Sequence, residues 1–132
     1  MILLDTNVVI DMINNSEDEN WQLLQTDDVV LCGVVVAELY RGFKNQKEQK
    51  AVELFVNSVD CLSLAEEDVG GEDSDWKKIG LFIAKLKKAG VSVPFQDAVI
   101  SFFGLKYNCD ILTKDRHFEL IKAVENKLRL RA

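Results

Sequence analysis

Proline is nearly absent from this chain: Pro94 is the only one in 132 residues. With apolar residues at 48%, that scarcity fits a compact soluble protein. No basic amino-terminal stretch leads into a long apolar run, so neither a signal peptide nor a membrane span is expected. Cysteine is sparse as well. Cys32, Cys61 and Cys109 are odd in number, lack metal-ligand spacing, and each sits in or beside an apolar strand-like run. They read as buried, reduced thiols of a cytoplasmic protein. Repeats, linkers and low-complexity segments are missing too, so residues 1–132 are expected to form one domain, long enough for a real core.

Basic charge is also short. The net charge is −6, which at first argues against a nucleic-acid partner. The excess is local, however: Glu66, Glu67, Asp68, Glu72, Asp73 and Asp75 fall within ten residues. Setting those six aside leaves sixteen acidic residues against sixteen basic ones. Overall charge therefore does not exclude RNA. The acidic segment itself reads as an exposed loop, with part of a partner surface as the alternative.

What is present begins at once. Ile2, Leu3 and Leu4 form a short unbroken apolar run, the pattern of a strand buried on both faces. Asp5 follows directly, and Val8, Val9, Met12 and Ile13 recur at helical spacing to about Asn14. Asp5 thus stands at the carboxyl end of a central strand, the edge where ligands bind in parallel α/β sheets.

A short helix is expected near Trp21–Gln25 and a second buried strand over Val29–Cys32. A helix follows with Val36, Leu39, Tyr40 and Phe43 as its core stripe and Glu38 on the shoulder. Gln46–Val59 is helical, anchored by Val52, Leu54, Phe55 and Val59, and Cys61–Leu64 is a third strand. Ser74 or Asp75 caps a helix with the stripe Trp76, Ile79, Ile83 and Leu86, which Gly90 ends. A helix over Phe95–Tyr107 is apolar on almost every side, and a fourth strand spans Asp110–Thr113. Phe118–Val124 is helical, and Leu128–Leu130 is an edge strand. Alternating strands and helices with short joints predict an α/β fold with a mainly parallel sheet of four to five strands, helices on both faces.

Geometry gathers four acidic residues. The helix from Phe95 descends about 18 Å over a dozen residues, and the following strand climbs back about 13 Å over four. Asp97, in the helix's first turn, and Asp115, just past the strand, therefore return to the edge that holds Asp5. Glu38 sits early in the helix after another strand. Taken singly, each has a plainer role: Asp5 as a helix cap, Glu38 as a solvated helix residue, Asp97 as a helix-dipole partner, Asp115 as a turn residue. Together, four carboxylates in one cleft repel one another unless protonated or held by hard cations. With no histidine or thiolate cluster on offer, oxygen ligands point to Mg²⁺ or Mn²⁺ rather than zinc. Two such ions can activate water and stabilise the leaving oxygen of a phosphodiester.

At these residues the sequence resembles the PIN-domain ribonucleases, most closely the VapC-type toxins of toxin–antitoxin pairs. The resemblance rests on Leu3-Leu4-Asp5-Thr6-Asn7, Val36-Ala37-Glu38-Leu39, Asp97-Ala98-Val99-Ile100 and Thr113-Lys114-Asp115-Arg116-His117-Phe118, in that order and separation. It implies a three-layer α/β/α sandwich, Mg²⁺ or Mn²⁺, endonucleolytic cleavage of structured RNA such as tRNA or rRNA, a homodimer, and a VapB-type antitoxin whose tail occludes the site. Asp5, Glu38, Asp97 and Asp115 match the family's acidic quartet as catalytic and metal-holding residues. Thr6, Asn7 and Thr113 match polar positions beside it.

Arg41, Lys44, Arg116 and His117 are carried as substrate-binding candidates. Arg41, Lys44, Lys47 and Lys50 recur at i+3 spacing and could track RNA phosphates, although a solvated helical face explains them too, as it does the lysines of residues 77–88. His117 reads as packing or capping ahead of catalysis, and Trp21 and Trp76 as core anchors. Three other functions compete: a non-catalytic RNA- or protein-binding module, a housekeeping RNA-processing nuclease, and an aspartyl-phosphate phosphatase using Asp5. The last resembles haloacid-dehalogenase-like enzymes, whose Asp-x-Asp would here need a second carboxylate at Asn7.

Overall fold

A computed structural model describes residues 1–64 and 69–131. The strands are β1 (Ile2–Leu4), β2 (Val29–Cys32), β3 (Asp60–Leu62), β4 (Asp110–Leu112) and β5 (Arg129–Leu130). The helices are α1 (Thr6–Asn14), α2 (Leu23–Thr26), α3 (Gly33–Gly42), α4 (Gln46–Ser58), α5 (Asp75–Lys88), α6 (Phe95–Tyr107) and α7 (His117–Val124), with a 3₁₀ turn at Glu19–Gln22.

The five strands form one sheet in the order β3-β2-β1-β4-β5, every pairing parallel. Helices cover both faces, so β1 and β2 are buried at every residue and are written as continuous apolar runs rather than alternating ones. This is the three-layer α/β/α architecture expected. The chain builds β2 and β3 on one side of β1, then crosses to lay β4 and β5 on the other. The crevice at the carboxyl ends of β1 and β4 is therefore the switch point of the sheet.

Local features aim the pieces that reach this crevice. Asp5 caps α1, its side chain accepting from the Thr6 N–H. Pro94 precedes α6 and fixes where it starts. Gly104 lets α6 lie close on the sheet, because a Cβ there would come within 2.8 Å of Ile111 Cδ1 on β4. Phe118 is fully buried. Its burial contributes about 1.5–3 kcal/mol and pins the first turn of α7, with His117 beside it.

Several sequence expectations need correction. The buried line of α3 runs through Val35 and Leu39, with Val36 and Tyr40 flanking it and Phe43 past the helix end. Leu54 is 67% exposed and Trp76 is 44% exposed, so neither is a core anchor; Phe82 takes the place on α5. Trp21 does pack, edge-on to Phe55, with its indole N–H donating to Met12 O. Cys32 and Cys109 are buried, but Cys61 is exposed. The basic i+3 series is split, with Arg41 in α3, Lys44 in the connection, and Lys47 and Lys50 in α4. Of the acidic segment, Glu66, Glu67 and Asp68 lie outside the described residues. Ser74 and Asp75 are buried rather than loop-exposed: Ser74 caps α5, and Asp75 forms an ion pair with Lys106 of α6. Among the described residues, no helix is long and apolar enough to cross a membrane.

Candidate active site

All four acidic residues meet. Asp5, Glu38, Asp97 and Asp115 line a single cleft of about 360 Å³ at the carboxyl edge of the sheet, together with Thr6, Asn7, Arg41 and Gln96. Asp5 leaves the end of β1, Glu38 projects from α3 after β2, Asp97 lies in the first turn of α6, and Asp115 follows β4.

The cleft has two halves, each organised by a threonine or the histidine. In the first, Thr6 ties two carboxylates together. Its N–H donates to Asp5 Oδ1 at 2.7 Å and its hydroxyl to Glu38 Oε1 at 2.8 Å. Arg41 approaches the other oxygen of Glu38 at 3.7 Å from an exposed position. Thr113 closes the far side, donating its hydroxyl to Asp5 Oδ2 at 2.6 Å and accepting the Asp115 N–H at 3.0 Å. Thr6 and Thr113 thus orient Asp5, Glu38 and the backbone of Asp115 at once. Asn7 lines the cleft as well, and its Oδ1 is buried with no hydrogen-bond partner among the described residues.

In the second half, His117 Nδ1 lies 2.9 Å from Asp97 Oδ2 and 3.0 Å from Asp115 Oδ1. The His117 backbone N–H also donates to Asp115 Oδ1, at 2.9 Å. His117, read from the sequence as packing or capping and carried as a substrate-binding candidate, sets its ring against two of the carboxylates. The available signal was position: two residues after Asp115, His117 opens α7 and turns back over the loop. Gln96 was also missed. As a plain amide in the helix start between Phe95 and Asp97, it carries no pattern that marks it.

Electrostatics follow from burial. Asp5 is 5% exposed and Asp97 6% exposed. Desolvation raises the Asp5 carboxyl above its ordinary value; the Thr113 hydroxyl and Thr6 N–H offset part of this, and the negative Asp115 adds to it. Burial pushes Asp97 up to about 6, with the His117 hydrogen bond opposing and the charges of Asp115 and Asp5 reinforcing. The hydrogen bond to Asp97 raises His117 in turn. The cleft is short of positive charge.

The remaining candidates divide. Arg41 lines the cleft, whereas Lys44 lines a neighbouring apolar groove with Ile10, Leu39 and Val52. Arg116 is exposed at the start of α7.

A family model for the PIN domain matches residues 2–124. No curated relative matches the chain. Among solved structures, the chain is similar to one from VapBC2 of Rickettsia felis bound to a DNA fragment from their promoter (20% identity, TM-score 0.77, 99% of this chain and 98% of that one). It is similar to one from VapBC-1 of nontypeable Haemophilus influenzae (24% identity, TM-score 0.75, 99% and 97%). A third is from DNA-bound VapBC of Salmonella typhimurium (22% identity, TM-score 0.77, 98% and 96%). At such identities the likeness is one of fold.

Proposed function

The chain belongs to the PIN-domain family, and on that premise we propose that it is a metal-dependent endoribonuclease cleaving structured RNA, tRNA or rRNA, in the cytoplasm. The observation that carries the reading is the single cleft lined by four carboxylates, two of them almost fully buried, with His117 and Arg41 as the basic groups that contact them among the described residues.

Hard divalent cations fit this donor set. Carboxylate oxygens are what Mg²⁺ and Mn²⁺ take, and Asn7, whose buried Oδ1 has no hydrogen-bond partner among the described residues, lines the same cleft. Asp5, Glu38, Asp97 and Asp115 would hold the metal and are the catalytic residues of this reading. A bound divalent cation supplies a Lewis acid for the phosphate and lowers the pKa of water to a useful range. The protein's own part is preorganisation. Thr6 and Thr113 fix the directions of Asp5 and Glu38, so the carboxylates need not reorient when substrate arrives. On this reading Arg41, which lines the cleft, contacts an RNA phosphate, with Arg116 and the exposed edge of His117 on the α7 side.

The biological role proposed is that of a VapC-type toxin held by a VapB-type antitoxin and working as a homodimer. Its support is the likeness to chains from VapBC complexes. An apolar groove of about 190 Å³, sharing Ile10 and Gly42 with the cleft, is a seat for such a partner.

The test is cleavage of a total tRNA and rRNA pool by purified protein in EDTA, Mg²⁺ and Mn²⁺. Discrete, metal-dependent fragments are expected. Metal binding without any cleavage would replace this reading with that of a non-catalytic binding module.

A further inference from the structure

Of the residues around the cleft, His117 is the one whose placement an all-oxygen site does not require. The geometry points to His117 Nδ1 as a direct ligand that makes this a mixed nitrogen–oxygen centre, selecting first-row transition cations such as Mn²⁺ over Mg²⁺. The inference rests on the metal-centre reading above and adds to it the identity of the cation.

Three potential ligand atoms, one each from Asp97, Asp115 and His117, lie within 4.8 Å of one another. His117 Nδ1 is 2.9 Å from Asp97 Oδ2 and 3.0 Å from Asp115 Oδ1. Adjacent corners of an octahedron with metal–ligand bonds of about 2.1 Å are about 3.0 Å apart. The separations set by the fold are therefore those a single octahedral ion needs on two of its edges, without moving α7. Three contacts hold the arrangement from outside. The His117 N–H grips Asp115 Oδ1, the Asp115 N–H rests on Thr113 Oγ1, and the buried Phe118 ring anchors the first turn of α7.

The ring is also turned correctly. Nδ1 faces both carboxylates while the side chain remains 44% exposed, so Nε2 can carry the proton of the neutral imidazole that ligation requires. An imidazole nitrogen is a borderline donor. It strengthens binding of first-row transition ions, whereas Mg²⁺ gives up water for nitrogen reluctantly.

Because the chain has one histidine, ¹⁵N-histidine labelling reports on this residue alone in protein prepared without a histidine tag. The experiment is pulsed electron paramagnetic resonance of Mn²⁺ bound to the full chain, with Mn²⁺ and Mg²⁺ affinities measured in parallel for wild type, His117→Gln and His117→Asp. The expected result is a ¹⁴N coupling that changes to ¹⁵N on labelling and is absent from both variants. Mn²⁺ affinity should fall at least about tenfold in His117→Gln, while Mg²⁺ affinity changes far less. His117→Asp should narrow the Mn²⁺/Mg²⁺ preference by restoring a ligand as oxygen. Mn²⁺ binding without histidine coupling, or with equal affinity in His117→Gln, would overturn the inference and leave the metal centre standing. Failure of wild type to bind Mn²⁺ would overturn both.

Discussion

Asp75 and Asp97 are the same residue type in nearly the same setting, and the protein uses them oppositely. Each lies in the first turn of a long helix, α5 or α6, and each is more than nine-tenths buried. Asp75 has a cation supplied by the fold, the part-buried Lys106 of the neighbouring helix. Asp97 faces Asp115 and Asp5 across a cleft and shares one imidazole with Asp115. A buried carboxylate with its own partner cements two helices, and one that lacks a full partner leaves a demand that an ion from solution can meet. Burial alone does not separate the two. The sign of the neighbouring charge does.

Exchanging charge for shape at each position is the sharpest way to break this contrast. Asp97→Asn should cut RNA cleavage on the order of a hundred- to a thousandfold and leave the metal-free melting temperature at neutral pH unchanged or higher. Asp75→Asn should do the reverse. It strands the Lys106 ammonium at a cost of about 1–3 kcal/mol, seen as a melting temperature several degrees lower, with cleavage at 25 °C intact. Loss of cleavage in folded Asp75→Asn, or its retention in Asp97→Asn, would erase the distinction.

Acidity sharpens the same contrast. Asp97 binds its proton more tightly folded than unfolded, so its stabilising contribution is complete below its ordinary 3.8 and is lost as pH climbs through about 6. That loss amounts to at most about 3 kcal/mol. Asp5 and His117 are raised as well and act in the same direction. Thermal melts in EDTA should therefore show metal-free stability falling between pH 4 and 7, and Asp97→Asn should flatten the fall. The smallest effect is expected at Thr113→Val, which keeps shape but removes the hydroxyl shared by Asp5 and Asp115. It should slow cleavage about tenfold and cost about 1 kcal/mol in stability.

The sheet was legible in the sequence because parallel strands buried on both faces must be written as apolar runs, as Ile2–Leu4 and Val29–Cys32 are. The meeting of four carboxylates was legible because each follows a strand or opens a helix, and strand and helix lengths return them to one edge. Less of the rest was visible. Trp76 and Leu54 fall on helical stripes, yet periodicity shows only that a face is apolar, not that something covers it. The role of Asp75 depends on Lys106, thirty-one residues away on another helix, and no local pattern announces a pair of that separation. The contacts of His117 were not legible because its partners come from α6 as well as from its own loop.

The most direct test of the central claim is the rise in melting temperature that Mn²⁺ or Mg²⁺ produces at pH 7.5 in wild type, Asp97→Asn and Asp75→Asn. The account predicts a clear rise in wild type, an equal rise from a lower baseline in Asp75→Asn, and little or none in Asp97→Asn. An undiminished rise in Asp97→Asn would contradict it, because the ion would then be answering some charge other than the one buried in the cleft.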